Sequence, residues 1–291
     1  KDYAAQIDAL HDKGKNAREI QKLLGLKNHQ PIYNYFKKKG WDRLKRSEYK
    51  YSTTYKVNLS FFKHIDTEEK AYILGFLCAD GHIDKNTNRI NITLKDGDYK
   101  LLEDIREAMG STHPIKRQIA KENPYKKSSN KVLYQCSLVI NGKELVAPLI
   151  QMGIAGNKTY TLNGSIMQYI PNHLMRHFLR GYFDGDGCIS WEKRYASCTK
   201  STVHVAGNYD FLQYSFNKYF PTNCSIRLYK KTAQCYDYTI QDKHEVLRFL
   251  AYLYNDAKIY LERKYKLYQY AMWSYKTELI AGNSYFIKLM E

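Results

Sequence analysis

No stretch of this 291-residue sequence is long and apolar enough for a membrane span. The longest apolar runs, such as Ala71–Ala79, fall far short of the roughly 20 residues required. A basic segment followed by an apolar leader and a cleavage site is also missing at the start, so nothing marks the chain for secretion. The six cysteines, Cys78, Cys136, Cys188, Cys198, Cys224 and Cys235, include no C-x-x-C pair. That speaks against a zinc site and for reduced thiols in a cytoplasmic protein of a phage- or microbe-type host, or of an organelle. Acidic residues are scarce: 29 Asp and Glu face 46 Lys and Arg, a net charge of +17 with no acidic tail to offset it. Such an excess points to a polyanionic partner. With 44% hydrophobic and 26% charged residues the chain can bury a core, so disorder is excluded. Phenylalanine is sparse at 11, whereas tyrosine reaches 28. Tyrosine suits a wet surface facing sugar–phosphate and base edges, and an AT-rich genome would raise it equally well.

The first forty-odd residues read as three short helices. Tyr3–Leu10 has apolar residues at helical spacing and is ended by Gly14. Asn16 can cap Ala17–Leu24, and Gly25-Leu26-Lys27 forms a turn. A third, basic helix then runs to Lys39 and stops at Gly40. Two short helices about a Gly-containing turn resemble a helix-turn-helix, with Gln30, Tyr33, Asn34 and Lys37 facing the groove. The alternative is a three-helix bundle with a solvated basic face. Domain boundaries are expected at 1–45 for this unit and 46–66 for a basic, extended linker. The linker region carries Lys50, Lys56 and Lys63, and Arg43, Lys45 and Arg46 lead into it. These residues would lie along phosphates or form a solvated tether.

The remainder is duplicated. Ala71-Tyr72-Ile73-Leu74-Gly75-Phe76-Leu77-Cys78-Ala79-Asp80-Gly81 is echoed by Phe178-Leu179-Arg180-Gly181-Tyr182-Phe183-Asp184-Gly185-Asp186-Gly187. After the first copy the patterning predicts strand Arg89–Leu94, helix Tyr99–Met109, strands His113–Ile119 and Val132–Ile140, and helix Lys143–Gln151. After the second it predicts strand Thr202–Ala206, helix Tyr209–Phe220, strands Cys224–Lys230 and Cys235–Ile240, and helix His244–Tyr254. Both halves read αββαββα, an α+β pattern, over 67–165 and 166–275, with 276–291 as a tail.

Leu74–Gly81 and Arg180–Gly187 resemble the LAGLIDADG motif of homing endonucleases, in two copies. Gly75 and Ala79, like Gly181 and Gly185, are four apart and share a helix face, so two such helices can cross closely. Asp80 and Asp186 follow near the helix ends, and Gly81 and Gly187 suit a left-handed termination. Two carboxylates brought together at helix C-termini are unfavourable until a divalent cation relieves them, and oxygen ligands suit Mg²⁺. Presented to a polyanion, they describe metal-assisted phosphodiester hydrolysis.

The resemblance implies two pseudo-symmetric repeats forming a DNA-binding saddle. It assigns the catalytic metals to Asp80 and Asp186, joined by the carbonyls of Ala79 and Gly185. The earlier acidic position is Asp184 in one copy and Cys78 in the other. A lysine near each scissile phosphate completes such sites. Lys158 takes that place in the first half and Lys258 in the second, because Ile140 to Lys158 and Ile240 to Lys258 are equally spaced. Lys264 is the reserve for the second lysine and otherwise a DNA contact. Groove-reading candidates are Arg89, Asn91, Lys116, Arg117 and Gln118 in one half and His204, Arg227, Tyr229 and Lys231 in the other. Strand register decides which of these share a face. The basic loop Lys121–Lys131 is either a phosphate contact or solvated.

The expected protein is a monomeric, two-repeat double-strand DNA endonuclease with an N-terminal helix-turn-helix. It would use Mg²⁺ at a long asymmetric target and leave a short 3′ overhang. Mn²⁺ is expected to substitute, and Ca²⁺ to bind without supporting cleavage. The alternatives are a maturase that binds intron RNA and a non-cleaving DNA-binding regulator. Protein splicing would require Cys or Ser first and His-Asn last, and the sequence offers neither.

Overall fold

A computed structural model of the protein describes residues 3–41, 55–120, 133–154, 156, 158, 162–195, 198–230 and 235–280. The chain divides into two compact units, Lys1–Thr54 and Tyr55–Glu291. Arg43, Lys45, Arg46, Lys231 and the loop Lys121–Lys131 lie outside the described residues.

In the first unit, helices α1 (Ala4–Asp12), α2 (Ala17–Leu23) and α3 (Gln30–Lys38) enclose Ile7, Ala17, Ile20, Ile32 and Phe36. A capping box starts α2: the Asn16 side chain accepts from the N–H groups of Arg18 and Glu19, and the Glu19 carboxylate accepts from the Asn16 N–H. Gly25 takes φ +63°, which turns the chain towards α3.

The second unit begins inside the expected linker. Phe61, Phe62 and Ile65 are buried in the main core, and Lys56 exchanges hydrogen bonds with Thr112. The stretch is therefore fastened at least from Lys56 onward, because its aromatic pair carries too much apolar surface to be left as a tether.

Helix α4 (Glu68–Ala79) is capped by Thr67, whose hydroxyl accepts from the Lys70 N–H. Every residue from Ala71 to Cys78 is buried, as expected of a helix that is apolar on all sides. It runs directly into β1 (Gly81–Asp84) and β2 (Arg89–Lys95), followed by α5 (Tyr99–Ala108), β3 (Ile115–Ile119), β4 (Tyr134–Asn141) and α6 (Lys143–Gln151). The second half repeats this order: α7 (Met175–Asp186), β5 (Gly187–Tyr195), β6 (Cys198–Gly207), α8 (Tyr209–Leu212), β7 (Ser225–Lys230), β8 (Cys235–Ile240) and α9 (Lys243–Tyr254). A last helix, α10 (Glu262–Ile280), has no counterpart among the sequence expectations. Each half builds one antiparallel four-stranded sheet, ordered β1-β2-β4-β3 and β5-β6-β8-β7. The α+β reading of two related halves therefore holds.

Three elements differ from expectation. Strands β1 and β5 follow the motifs without a break, although the alternation of Ile189 and Trp191, both buried, already signals a strand. The helix expected over Tyr209–Phe220 runs as one helical segment to Tyr219 but widens to a π-helix over Gln213–Asn217. There the Ser215 hydroxyl donates to the Phe211 carbonyl, competing with the helical ladder.

Although α7 is polar in sequence, it is as buried as α4. Arg180 is fully buried: its guanidinium donates to the carbonyls of Ile259 (3.0 Å) and Leu253 (2.9 Å), to Glu68 (2.7 Å) and to Nδ1 of His177 (2.9 Å). Burial first, and the Arg180 charge second, push His177 down to about 4 from its ordinary 6.5. The unfolded chain therefore binds the extra proton first, and stability is lost as pH falls from about 6.5 towards 4. Thermal midpoints measured across that window are expected to fall less steeply in His177→Gln than in the wild type.

Candidate active site and nucleic-acid interface

Small residues let α4 and α7 cross at backbone contact. A Cβ on Gly75 would overlap the carbonyl oxygen of Phe178, and one on Gly181 would overlap that of Tyr72. A Cβ on Gly185 would strike the Ala79 methyl and stand 3.4 Å from the carboxyl carbon of Asp80. The crossing therefore sets Asp80, which caps α4, beside the end of α7, where Asp186 is the final residue.

The left-handed ending expected at Gly81 and Gly187 is absent: neither has positive φ, and Gly187 is extended at φ −93°, ψ 159°. Both glycines are needed for space instead. The chain folds straight from helix into strand against the last helical turn. A Cβ at Gly81 would lie 2.5 Å from Leu77 Cδ2, and one at Gly187 would lie 2.5 Å from the Phe183 carbonyl oxygen.

Asp80 and Asp186 reach solvent but are recessed among protein atoms. Burial is the main cause that raises Asp80, opposed by Lys158, Lys264 and Arg263. Asp186 is pushed up to about 6, by burial first and by the Asp80 charge second, with Lys158, Lys264 and a Tyr182 hydrogen bond opposing. The Asp80 charge thus reaches Asp186 across the crossing, the direction expected of a like charge nearby.

Each motif helix ends on a lysine. The Lys158 ammonium donates to the carbonyls of Leu77 (2.7 Å), Ala79 (2.7 Å) and Gly81. The Lys264 ammonium donates to those of Phe183 (2.5 Å), Asp184 (3.0 Å) and Gly187 (2.5 Å). A cation at a helix C-terminus answers its unpaired carbonyls and its dipole. Burial lowers both lysines, Lys264 to about 8.

Lys264, not Lys258, is thus the counterpart of Lys158. Lys258 belongs to the opposite end of α4, where its backbone N–H donates to Glu68 at 2.8 Å. The misleading signal was spacing counted from the last strand, because the connection to the lysine is longer in the second half. Counted from the motif aspartates the separation is 78 residues in both halves (158 − 80 and 264 − 186). Lys264 is also no groove contact, being only 2% exposed.

Asp80 and Asp186 offer carboxylate oxygens, the donor type that suits a hard divalent cation, while the Ala79 carbonyl accepts from Lys158. Among the described residues no cluster of three or more His, Cys, Asp or Glu could hold a metal by itself. A cation here would depend on carbonyls, water and an anionic ligand for its remaining partners. On the second side Lys264 takes the carbonyl of Asp184 rather than that of Gly185. Tyr182, absent from the sequence-derived site, donates to the Ala206 carbonyl at 3.0 Å and borders Asp186.

Register sorts the strand residues. In the first sheet Ile83, Ile90, Ile92, Leu94, Cys136, Leu138 and Ile140 face the core. The opposite face carries the rows His82–Asn91–Val139, Thr93–Ser137–Lys116 and Lys95–Gln135–Gln118, with Asp84–Arg89–Asn141 at one end. Arg89, Asn91, Lys116 and Gln118 therefore share the open face. Arg117 does not: it pairs with Cys136 on the helix side, where it bonds Asp96 (2.8 Å) and covers the Tyr99 ring. Thr93 and Lys95 were missed, although the period-two pattern through Arg89 and Asn91 leads to them. In the second sheet the open face holds Cys188–His204–Thr239–Ser225 and Ala206–Asp237–Arg227. His204 is held by Asp237 through Nδ1 at 2.7 Å. Tyr229 belongs to β7 by its backbone. On α3, Gln30, Asn34 and Lys37 are exposed at i, i+4 and i+7, with Tyr33 half-buried beside them.

Two homologous halves, crossed on glycine-bearing helices that end in paired aspartates, define a pseudo-twofold α+β protein with its candidate centre at the crossing. Residues 67–150 and 173–255 match the LAGLIDADG-like domain, and the chain belongs to that family. The replication factor C small subunit of Methanocaldococcus jannaschii is 32% identical over 130 residues, which is 42% of this chain; the chain spans 6% of that curated relative. Among solved structures, the LAGLIDADG homing endonuclease I-GzeII in complex with its DNA target has 16% identity, with 74% of this chain and 92% of that one covered, at a TM-score of 0.48. The meganuclease I-AabMI bound to uncleaved DNA has 16% identity over 72% of this chain and 90% of that one, at 0.48. For I-SmaMI bound to uncleaved DNA with calcium ions the values are 14%, 72%, 92% and 0.44. No helix among the described residues is long and apolar enough to cross a membrane.

Proposed function

We propose that this chain is a site-specific double-strand DNA endonuclease that acts as a monomer on a long, asymmetric target. The observation that carries the reading is the pairing of Asp80 with Asp186 at the helix crossing, each beside its own lysine-capped helix end. Family membership and a charge of +17 support it. Asp80 and Asp186 would hold Mg²⁺, or Mn²⁺ in its place, with the carbonyls of Ala79 and Gly185 beside them. Ca²⁺ would bind without supporting cleavage. The bound cation supplies charge neutralisation and an acidic water for phosphodiester hydrolysis.

Lys158 and Lys264 place one ammonium on each side of the crossing, where charge develops on a phosphate under attack. Arg89, Asn91, Thr93, Lys95, Lys116 and Gln118 would read one half-site, and His204 and Arg227 the other. The halves carry different side chains, so their half-sites differ. The first unit would act as a helix-turn-helix through Gln30, Asn34 and Lys37, extending the contact by effective concentration.

The test is cleavage of a randomised duplex library, followed by supercoiled-to-linear conversion of the selected site in Mg²⁺. Linear product is expected. Lys158→Ala and Lys264→Ala should each slow it by about a hundredfold or more, and Lys258→Ala by less than about threefold. Binding without cutting in both Mg²⁺ and Mn²⁺ would overturn the nuclease reading. In a footprint of the same site, changing Gln30, Asn34 and Lys37 together to Ala should shorten protection at one end only. An unaltered footprint would remove the helix-turn-helix assignment.

A further inference from the structure

The two lysines are held in place by different chemistry. Gly75 meets the Phe178 carbonyl and Gly181 meets that of Tyr72, so the pseudo-twofold axis exchanges Tyr72 with Phe178. The motif alignment likewise exchanges Asp184 with Cys78. Across the crossing, one pair of equivalent positions joins Tyr72 of the first half to the Asp184 carboxylate of the second, and its symmetry mate sets Phe178 of the second half against the Cys78 thiol of the first.

Asp184 is 1% exposed and accepts three hydrogen bonds: from the Tyr254 hydroxyl at 2.5 Å, the Tyr72 hydroxyl at 2.7 Å and the Leu261 N–H at 2.7 Å. Leu261 immediately precedes α10, and its carbonyl accepts from the N–H groups of Lys264 and Tyr265 at 2.9 and 3.0 Å. The carboxylate thus pins the first turn of the helix that carries Lys264. Arg180 fastens the approach to that turn through the carbonyls of Leu253 and Ile259. The Asp184 carbonyl takes the Lys264 ammonium itself. Cys78, buried at the equivalent place in α4, has no carboxylate with which to hold a neighbouring turn.

We propose that Asp184, held by Tyr254, is a positioning residue for Lys264 alone, acting through the Leu261 N–H, so that the two halves of the active site can be disabled independently. Asp184 is buried, unlike the solvent-facing Asp80 and Asp186, and its part is to keep one ammonium in register. A phosphate-facing group displaced by about 1 Å loses on the order of a hundredfold in rate. The strand served by Lys264 should therefore slow while the other does not.

This rests on the endonuclease reading for its cleavage arm only. In full-length protein without metal or DNA, trace acetylation followed by peptide mass spectrometry reports the accessibility of each lysine. Asp184→Ala is expected to raise labelling of Lys264 about tenfold, as local opening of a protected turn does, with Lys158 unchanged. Asp184→Asn keeps one acceptor for the Leu261 N–H and should restore most of the protection. Tyr254→Phe, which keeps the carboxylate, should give a smaller rise at Lys264 and serves if Asp184→Ala does not fold.

On end-labelled target, Asp184→Ala should produce nicked rather than linear DNA, with one strand cut at close to the wild-type rate. Equal exposure of both lysines, unchanged labelling at Lys264, or equal slowing of both strands would overturn the proposal. If the wild type cuts no duplex, the endonuclease reading fails while the acetylation arm still decides the positioning role.

Discussion

Asp80→Asn and Asp186→Asn are each expected to reduce cleavage of both strands by more than about a thousandfold while duplex affinity stays within a few-fold. Each substitution keeps the shape of the side chain and removes a negative charge from a pair that shares one site. The residues proposed to contact DNA are spread over two sheets and include neither carboxylate. A second signature separates this outcome from misfolding. Asp186 sits at about 6 because burial and Asp80 disfavour its charged form. A carboxylate whose folded pKa lies above its unfolded one destabilises the fold at neutral pH, and the penalty fades as pH falls through about 6 towards the ordinary 3.8. Asp186→Asn should therefore raise stability at pH 7 in metal-free protein, by about 1 kcal/mol once solvent screening of an exposed carboxylate is allowed for. The gain should vanish below about pH 4. Thermal melts at several pH values, run beside strand-resolved cleavage, check both signs. Full cleavage by either variant would remove the paired carboxylates from the chemistry.

The largest loss of stability is expected from Gly75→Ala and Gly181→Ala. The added methyl meets a carbonyl oxygen of the facing helix, Phe178 in one case and Tyr72 in the other. Backbone cannot swing aside as a side-chain tip can, so the helices must separate along their whole contact. Overpacking of this kind costs about 3 kcal/mol or more. Separation would also pull Asp80 away from Asp186, so residual activity should fall further than stability alone explains. Gly97→Ala is the control: Gly97 has ordinary φ and a methyl added there would meet no atom within 4 Å, so its effect should stay within about 0.5 kcal/mol. Denaturant titration of the three variants measures the difference.

Much of the architecture was legible because it repeats at short range. The small residues at Gly75 and Ala79, and at Gly181 and Gly185, are four apart, and helical geometry turns that spacing into one contact face. Arg89 and Asn91 stand two apart, so they share a sheet face whatever the rest of the chain does. Arg117 was misplaced because one residue of register moves a side chain to the other face. Only the pairing of β3 with β4 sets that register.

What the sequence by itself determined is the set of local patterns: the two motif helices, the aspartates that end them, the alternation of the strands and the basic charge. Tertiary structure alone decided which distant groups meet. It chose Lys264 over Lys258, because the second half spends more residues between its last strand and its lysine, and the helix-end carbonyls draw in whichever ammonium can reach them. It also made Asp184 a buried anchor while Asp186, two residues on, opens to solvent. Successive turns of a helix look alike in sequence, and they differ in function only through what the rest of the fold packs against them.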